Sequence, residues 1–310
     1  MSKLAGVRPA PGAKDVPMAV ALMLAACALI AGTTLIAKML GPASAGENAL
    51  HPLQVTAGRF AFAFMALVPF IAWLRIDFRN TDWTNHLLRV LFGWAGVTCL
   101  FAASALMRLA DATAISFLNP IVAMILSIPL LGEKVGPWRW AGAAVAFAGA
   151  AILTEPGTDA FQPVALIALL AAVFMGVEVV LIKRLSDREP PLRILFLSNG
   201  LGALVSLCAA ILFWKWPLPG QWWLLATLGV TMVTVQALFI QAAKRGDASF
   251  VTPFFYTTLI FAGLYDYLVF SVTPTPNGWI GAALIIAGAL TIVWRERVQR
   301  RRDVSLRRLR

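Results

Sequence analysis

Three charged residues lie inside long apolar segments of the sequence: Arg59, Glu178 and Asp266. A charge at the centre of a membrane helix costs about 2.5–3.5 kcal/mol on insertion scales, so such residues are rare and often functional. Arg59 and Asp266 would lie at similar depth below one membrane face. We therefore expect both to face a central cavity, as an ion pair or as a clamp on a solute. An ion pair that only joins helices, or snorkelling to the interface, is the alternative.

Glu178 has a counterpart in the first half of the chain. When Gly32 is aligned with Gly176, Thr34 takes the position of Glu178. A hydroxyl in one half and an acid in the other is the asymmetry expected of a site that binds a proton or a cationic solute. The alternative is an interfacial acid, since Lys183 follows within about one helical turn.

Weaker candidates are polar or aromatic groups within apolar segments: Trp94, Asn119, Asn199, Gln236 and Tyr256. Asn119 precedes Pro120, and proline lacks the N–H that a helix needs, so an unwound turn that binds solute is expected there. Tyr256 is the counterpart of Pro120 at an offset of 136 residues. Each of the other three, taken singly, is explained more simply by hydrogen bonds between helices.

The elements that position these residues are predicted to be membrane helices. The chain is 60% hydrophobic and 13% charged, against roughly half apolar and a quarter charged in soluble domains. Apolar runs of about 20 residues can each span a bilayer. The predicted spans cover 17–40, 54–74, 88–107, 112–131, 138–154, 163–182, 194–214, 222–243, 249–270 and 278–295. The predicted fold is therefore an all-α integral membrane protein with ten transmembrane helices.

The distribution of basic residues predicts the orientation. With the N-terminus inside, nearly all of the 26 Lys and Arg residues fall on the cytoplasmic side, and Lys38, Arg108 and Lys215 are the exceptions outside. By the positive-inside rule both termini are cytoplasmic, and the expected location is the plasma membrane, which in bacteria is the inner membrane. The basic tail at 296–310 is expected to contact anionic lipid headgroups.

An internal repeat divides the chain. WAGAAVAFAGAAIL at 140–153 and WIGAALIIAGALTI at 279–292 share seven of fourteen aligned positions. Asp111-Ala112 matches Asp247-Ala248, and Lys38 matches Lys183, in the same order. Five spans per half is an odd number, so the halves would enter the membrane from opposite sides, which is the inverted-repeat plan of many secondary transporters. We predict an N-terminal segment at 1–16, repeats at 17–154 and 163–295, and the tail.

The repeated segments carry small residues at helical spacing. Gly142, Ala146 and Gly149 follow each other at three or four residues, and Gly281 and Gly288 lie on the matching helix. Small residues at this spacing let helices approach closely in lipid. Spans five and ten are therefore expected to serve as scaffold or as a homodimer interface.

The repeat also carries a family resemblance. FLNPIVAMILSIPLLGEKVGPWRWAGAAVAFAGAAIL at 117–153, with LGE at 131–133, resembles the signature of the EamA family in the drug/metabolite transporter superfamily. VTPFFYTTLIFAGLYDYLVF at 251–270, WIGAALIIAGALTIVWRER at 279–297 and Arg59-Phe60 are similar to it too. The second half has Ser271-Val272 in place of Gly-Glu. The resemblance implies ten helices, a cavity between the halves and solute transport without ATP, with bulky metabolites such as S-adenosylmethionine or riboflavin as the nearest substrates.

Other classes of protein find less support. No zincin motif, nucleophile elbow or phosphate-binding loop is present, so we expect no enzyme, metal or cofactor. The basic residues flank spans rather than form one face, so no nucleic-acid partner is expected. A channel needs repeated polar rings, which are lacking. We expect alternating-access transport of an amino acid-, nucleoside- or vitamin-like metabolite, with proton coupling open. A non-transporting membrane scaffold or subunit is the alternative.

Overall fold

The computed structural model describes residues 16–74, 78, 81–131, 136–154, 163–186, 189–245, 255–273, 275–288, 290–291 and 294, and every regular element in them is helical. The helices are α1 (Val16–Leu40), α2 (Pro42–Ala45), α3 (Pro52–Leu74), α4 (Trp83–Leu106), α5 (Leu109–Ser116), α6 (Asn119–Leu131), α7 (Pro137–Thr154), α8 (Val164–Ser186), α9 (Pro191–Ala210), α10 (Pro219–Arg245), α11 (Thr257–Phe270) and α12 (276–288). Short 3₁₀ turns at Gly46–Asn48 and Ile211–Phe213 follow α2 and α9.

The described helices define a multi-pass membrane protein. Six segments are long and apolar enough to cross a bilayer: Pro17–Leu40, Trp83–Leu106, Leu109–Leu126, Val164–Ile182, Leu192–Phe213 and Pro219–Phe239. Large apolar side chains on these helices are exposed, for example Leu204 at 62%, as expected of surfaces that face lipid. The predicted ten spans in two inverted repeats go beyond this finding and stay a prediction.

α4 begins five residues before the predicted span at 88–107. Asp82 caps this helix, because its side chain accepts a hydrogen bond from the backbone N–H of Asn85. Two polar residues, His86 and Arg89, are thereby included in the helix and buried. The sequence predicts Arg89 on the cytoplasmic side at the start of the span; the structure places it in the second turn of α4, where it is buried.

The predicted fourth span is broken near its middle, as the Asn119-Pro120 pair predicted. α5 ends at Ser116 and α6 begins at Asn119, with a turn between them. Pro120 occupies the first turn of α6, where a missing N–H carries no penalty. In the second half, residues 255–256 form a 3₁₀ turn immediately before α11. At the first break the backbone N–H groups of Phe117 and Leu118 donate to carbonyl oxygens of α5, and at the second the carbonyl oxygen of Phe255 accepts from the hydroxyl of Thr258.

The main helix contacts join the first half of the chain to the second. α1 packs on α10 and α11, whereas α8 packs on α4 and α6. α3 packs on α9 and α10, and α5 packs on α11. The space enclosed by these helices is therefore lined by both halves.

The small residues of α7 and α12 face each other within one chain. A Cβ atom on Gly149 would lie 2.6 Å from the carbonyl oxygen of Gly281, and one on Gly288 would collide with the carbonyl oxygen of Gly142. The small-residue surface that was predicted as a scaffold or homodimer interface is therefore used for contact between α7 and α12. A dimer through these two helices would need their other faces, where Trp140 is exposed.

Several predicted features lie outside the described residues. They include residues 1–15 of the N-terminal segment, the tail at 296–310, the start of span nine at 249–254, and Gly132 and Glu133 of the LGE motif. The matching place in the second half is described. Ser271 ends α11 with φ 55° and ψ 28°, the left-handed conformation that glycine favours.

Candidate functional site

A cavity of about 280 Å³ lies between the helices of the two halves. Three of the predicted site residues line it: Thr34 from α1, Asn119 at the start of α6, and Glu178 from α8. The other lining residues are Ile30, Leu100, Thr113, Ser116, Phe117, Met175, Val179, Phe255 and Thr258. The cavity thus touches both helix breaks and combines apolar walls with hydroxyl, amide and carboxylate groups, as binding sites for organic molecules do.

The position of Thr34 opposite Glu178 follows the internal alignment. The Thr34 hydroxyl donates to the carbonyl oxygen of Ala31 at 2.8 Å and leaves its lone pairs available. Asn119 donates through Nδ2 to the carbonyl oxygen of Ser116 at 3.0 Å, which leaves its amide oxygen uncommitted by that bond. The side chain of Glu178 is 22% exposed. An acid from one half therefore shares the cavity with a hydroxyl at the matching position of the other half.

Glu178 pairs with an arginine that the sequence did not indicate as a site residue. Nη2 of Arg89 lies 3.5 Å from Oε1 of Glu178. Nη1 of Arg89 donates to the hydroxyl of Ser198 and to the carbonyl oxygen of Ile194. Arg89 thus links α4, α8 and α9. The alternative, in which Glu178 is an interfacial acid beside Lys183, differs from this placement within the helix bundle.

Gly93 allows the acid to approach α4. A Cβ atom at this position would lie 2.7 Å from the carboxyl carbon of Glu178 and 2.8 and 2.9 Å from its oxygens. Such distances are too short for any real Cβ contact. The absence of a side chain at Gly93 therefore sets where the carboxylate sits.

Three further predicted residues have buried polar atoms with no hydrogen-bond partner among the described residues: Nη1 of Arg59, Nε1 of Trp94 and Oε1 of Gln236. Arg59 is 6% exposed, and its guanidinium lies 4.4 Å from the ring centre of Phe60. Buried polar groups are almost always hydrogen-bonded in proteins. These three atoms lie on α3, α4 and α10, and α3 packs on both of the other helices.

The predicted pairing of Arg59 with Asp266 was wrong. Asp266 is 1% exposed, and its Oδ1 lies 2.6 Å from Nζ of Lys38. Its Oδ2 accepts from the backbone N–H groups of Leu109 at 2.6 Å and Ala110 at 3.3 Å, so the carboxylate also caps α5. Lys38 was predicted to close span one on the outer side; it lies in the last turn of α1 and is 7% exposed. Lys38 is buried because it pairs with Asp266, whose buried carboxylate needs a cation nearby.

The last two predicted residues have local roles in the structure. Asn199 is buried and donates through Nδ2 to the carbonyl oxygen of Leu195 at 2.8 Å. Tyr256 is buried in the apolar core and packs edge-on against Phe117, with ring centres 5.4 Å apart. Phe117 also lines the cavity, so Tyr256 supports its wall.

The sequence did not indicate Arg89, Thr113, Ser116 or Thr258 as site residues. In the sequence, Arg89 counts only among the basic residues that predict the orientation. The three hydroxyl residues would have been found by asking which polar groups share a face with Asn119 or with its counterpart, since helical neighbours recur every three or four residues. Ser116, for instance, lies three residues before Asn119.

The described residues hold no group of three or more His, Cys, Asp or Glu side chains that could bind a metal. The two histidines make different contacts. His51 stacks on Phe213 at 4.3 Å, and burial lowers the pKa of its imidazole. His86 contacts Oε2 of Glu189 through Nε2 at 2.9 Å.

The helices and their lipid-facing surface define a multi-pass helical membrane protein with an internal cavity. A model of the EamA-like transporter family matches residues 17–155 and matches again at 162–294. The chain therefore belongs to the EamA-like transporter family. The two matched segments coincide closely with the predicted repeats.

Relatives with named functions are similar over most of their length. The chain is 29% identical over 252 residues to an S-adenosylmethionine uptake transporter of Rickettsia bellii, covering 80% of this chain and 86% of that one. It is 31% identical over 262 residues to a riboflavin transporter of Vibrio cholerae, covering 83% and 88%. A solved crystal structure matches with a TM-score of 0.57 at 23% identity, covering 88% of this chain and 98% of the other, which is a likeness of fold.

Proposed function

We propose that this protein is a secondary carrier of a small organic metabolite. The observation that carries the proposal is the cavity in which Glu178 faces Thr34 and Asn119, at the breaks in the helices of both halves. Transporters place solute sites near the midplane, where interrupted helices supply free backbone groups. The S-adenosylmethionine and riboflavin transporters among the relatives support the same conclusion.

The proposed architecture is ten transmembrane helices in two inverted repeats. The double match of the family model supports it. The helix contacts support it as well, because they are preserved when the halves are exchanged: α1 on α10 corresponds to α8 on α4, and α1 on α11 to α8 on α6. Such symmetry suits alternating access, in which one half rocks against the other around a fixed site. The solute gradient or a coupled ion, and not ATP hydrolysis, would drive transport.

The proposed location is the bacterial inner membrane, with both termini cytoplasmic. The excess of Lys and Arg on one side of the predicted spans supports this orientation. Bacterial relatives support the location. A homodimer is part of the proposal. Its contacts would use the exposed faces of α7 and α12, because the glycines of these helices already face each other within one chain.

The proposed substrates are amino acid-, nucleoside- or vitamin-like. S-adenosylmethionine and riboflavin are the first to test, because relatives are named for their transport. Both molecules combine a flat ring system with polar groups, which suits apolar walls that carry a few polar side chains. Glu178 is the proposed site for proton coupling, since a membrane-buried acid that faces a cavity is the usual form of a proton relay.

An untargeted comparison of metabolites tests the proposal. Cells that express the chain are compared with cells that express Glu178→Gln, and Glu47→Gln, in an exposed turn outside the cavity, serves as the matched control. We expect one solute to change between cell and medium with the intact chain and the control, but not with Glu178→Gln. If no solute changes with the intact chain, a non-transporting scaffold becomes the better account.

A further inference from the structure

A second pocket lies apart from the cavity that contains Glu178. Its volume is about 660 Å³, within the range of about 300–1,000 Å³ that small-molecule sites occupy. Its walls come from the connection between α1 and α3, the end of α4, and the 3₁₀ turn after α9 with the two residues that follow. Both halves of the chain therefore form this pocket, yet its described lining shares no residue with the cavity.

The pocket lies at the level of one membrane interface, because α4 and α9 end there and α3 begins there. Trp214 lines the pocket and packs edge-on against the exposed Trp216, with ring centres 6.3 Å apart. Tryptophan is enriched at the depth of lipid headgroups. Leu106 and Leu212, which also line the pocket, are exposed, as expected of a wall that faces hydrocarbon. The pocket is therefore placed to receive a molecule from the bilayer.

Lys215 supplies a cation at this pocket. The sequence predicts three basic residues on this side of the membrane, and the other two, Lys38 and Arg108, each have a carboxylate partner. Nζ of Lys215 donates to the carbonyl oxygen of Glu47 at 3.4 Å, and no carboxylate of the described residues lies within ion-pair distance of it. No Asp or Glu is among the described lining residues. The ammonium group can therefore bind an anion in the pocket.

The position of Lys215 is fixed by a buried glutamine. Oε1 of Gln54 accepts from the backbone N–H of Lys215 at 3.1 Å, and Nε2 of Gln54 donates to its carbonyl oxygen at 2.5 Å. His51 lines the pocket as well, and its Nδ1 accepts from the backbone N–H of Leu53 at 3.3 Å, so in the neutral ring Nε2 is a donor. The other described lining residues are Pro, Ala, Leu, Phe and Trp. The pocket thus combines two donor side chains with apolar walls.

We propose that this pocket binds an anionic phospholipid, with its phosphate at Lys215 and an acyl chain along Leu106 and Leu212. A ligand that joins an anionic group to an apolar chain satisfies both parts of the lining. At the depth of the interface the bilayer itself supplies such a ligand, and lysine near the membrane surface attracts anionic lipid. The site is separate from the proposed transport site, and a lipid bound there contacts both halves of the chain.

Native mass spectrometry of the delipidated full-length chain in detergent tests the proposal. The chain is offered phosphatidylglycerol and phosphatidylcholine with the same acyl chains, and the first lipid retained is identified. We expect phosphatidylglycerol to be preferred by at least about fivefold, the effect of about one lysine near an anionic lipid surface. Lys215→Gln should lower this preference about fivefold, whereas Lys215→Arg should keep it. Arg300→Gln, which removes one charge from the basic tail, is the matched control and should leave the preference unchanged.

A photoreactive lipid locates the site. Phosphatidylglycerol with a diazirine in one acyl chain should crosslink to the segments around Leu106 and Leu212. Crosslinks confined to other segments, or an equal preference in Lys215→Gln and the intact chain, overturn the proposal. Complete displacement of the lipid by an equal concentration of soluble glycerol 3-phosphate overturns it too, because the pocket would then bind the phosphate without the chain. Each of these results leaves the proposed carrier function standing, since none of them measures uptake.

Discussion

The carboxylate of Asp266 and the ammonium of Lys38 lie 2.6 Å apart, and both side chains are buried. The pair joins the end of α1 to α11, and so connects the first half of the chain to the second. Because the same carboxylate accepts two backbone N–H groups at the start of α5, three helices meet at one residue. Asp266 is thus placed to hold the structure together rather than to contact the cavity.

Removing one partner of this pair should destabilise the fold. Loss of one member of a buried ion pair costs about 3–5 kcal/mol, because the other charge is left buried without compensation. We expect Asp266→Asn to lower the melting temperature of the purified chain markedly, as measured by scanning fluorimetry in detergent. Tyr267→Phe changes the neighbouring exposed residue and should leave the melting temperature unchanged.

The charge-reversed double variant distinguishes the two roles of Asp266. Lys38→Glu with Asp266→Lys restores an ion pair but places a cation against the amides of Leu109 and Ala110. We therefore expect no recovery of stability. Full recovery would mean that the capping of α5 contributes nothing.

Gly93→Ala should impair transport without unfolding the protein. The added methyl group would displace the carboxylate of Glu178, while alanine is a better helix former than glycine by about 1 kcal/mol. We expect the melting temperature to hold and solute uptake to fall by at least about tenfold, or about 1.4 kcal/mol. Gly220→Ala is the control, because a Cβ atom there meets nothing within 4 Å. Normal uptake by Gly93→Ala would contradict the placement of Glu178.

Gly288→Val should lower the stability of the fold and leave the oligomeric state unchanged. The new side chain would collide with the backbone of α7 at Gly142 and Ala146. Overpacking of this kind costs about 1–3 kcal/mol. We expect a lower melting temperature and an unchanged mass by light scattering coupled to chromatography. A change of mass with the melting temperature intact would show that the glycine face joins two chains.

Glu189 should stabilise the protein at neutral pH, where its carboxylate is ionised, and should lose this effect at acidic pH. Burial raises the pKa of its carboxyl, but hydrogen bonds from the Asp82 amide and His86, with the charge of Arg193, outweigh burial and hold the pKa below its usual value. A depressed folded pKa gives stability that is present above the unfolded pKa, about 4.3, and lost as the pH falls through the folded pKa.

The comparison of wild type with Glu189→Gln measures this effect. We expect the difference in melting temperature to be full between about pH 6 and 7 and to shrink below about pH 4, where the glutamate gains its proton. Glu47→Gln, in an exposed turn, should show no such dependence. A difference that stays constant down to pH 3, or grows, would rule out the proposed ionised state of Glu189.

The sequence predicted the features that depend on local composition. The Asn119-Pro120 pair predicted the break between α5 and α6, since proline acts on its own backbone. The alignment of Gly32 with Gly176 placed Thr34 and Glu178 in equivalent positions, and both line one cavity. In each case the cause lies within a few residues or in the repeat itself.

Pairing across the bundle could not be predicted in this way. Asp266 was expected to meet Arg59 because the two seemed to lie at the same depth, but the rotation of each helix about its axis decides which charges meet. Lys38 reaches Asp266 instead, and Arg89 reaches Glu178 because Gly93 leaves space. Depth follows from counting residues along a span, whereas rotation depends on the packing of the whole bundle.

Solute uptake into proteoliposomes tests the central claim most directly. The purified chain is reconstituted, and entry of radiolabelled S-adenosylmethionine and riboflavin is followed with the intact chain, with Glu178→Gln and with Glu47→Gln. The account predicts saturable uptake of at least one of these solutes by the intact chain and by Glu47→Gln, and uptake near that of empty liposomes with Glu178→Gln. Uptake that is equal in Glu178→Gln and the intact chain, or absent from the intact chain for both solutes, would contradict it.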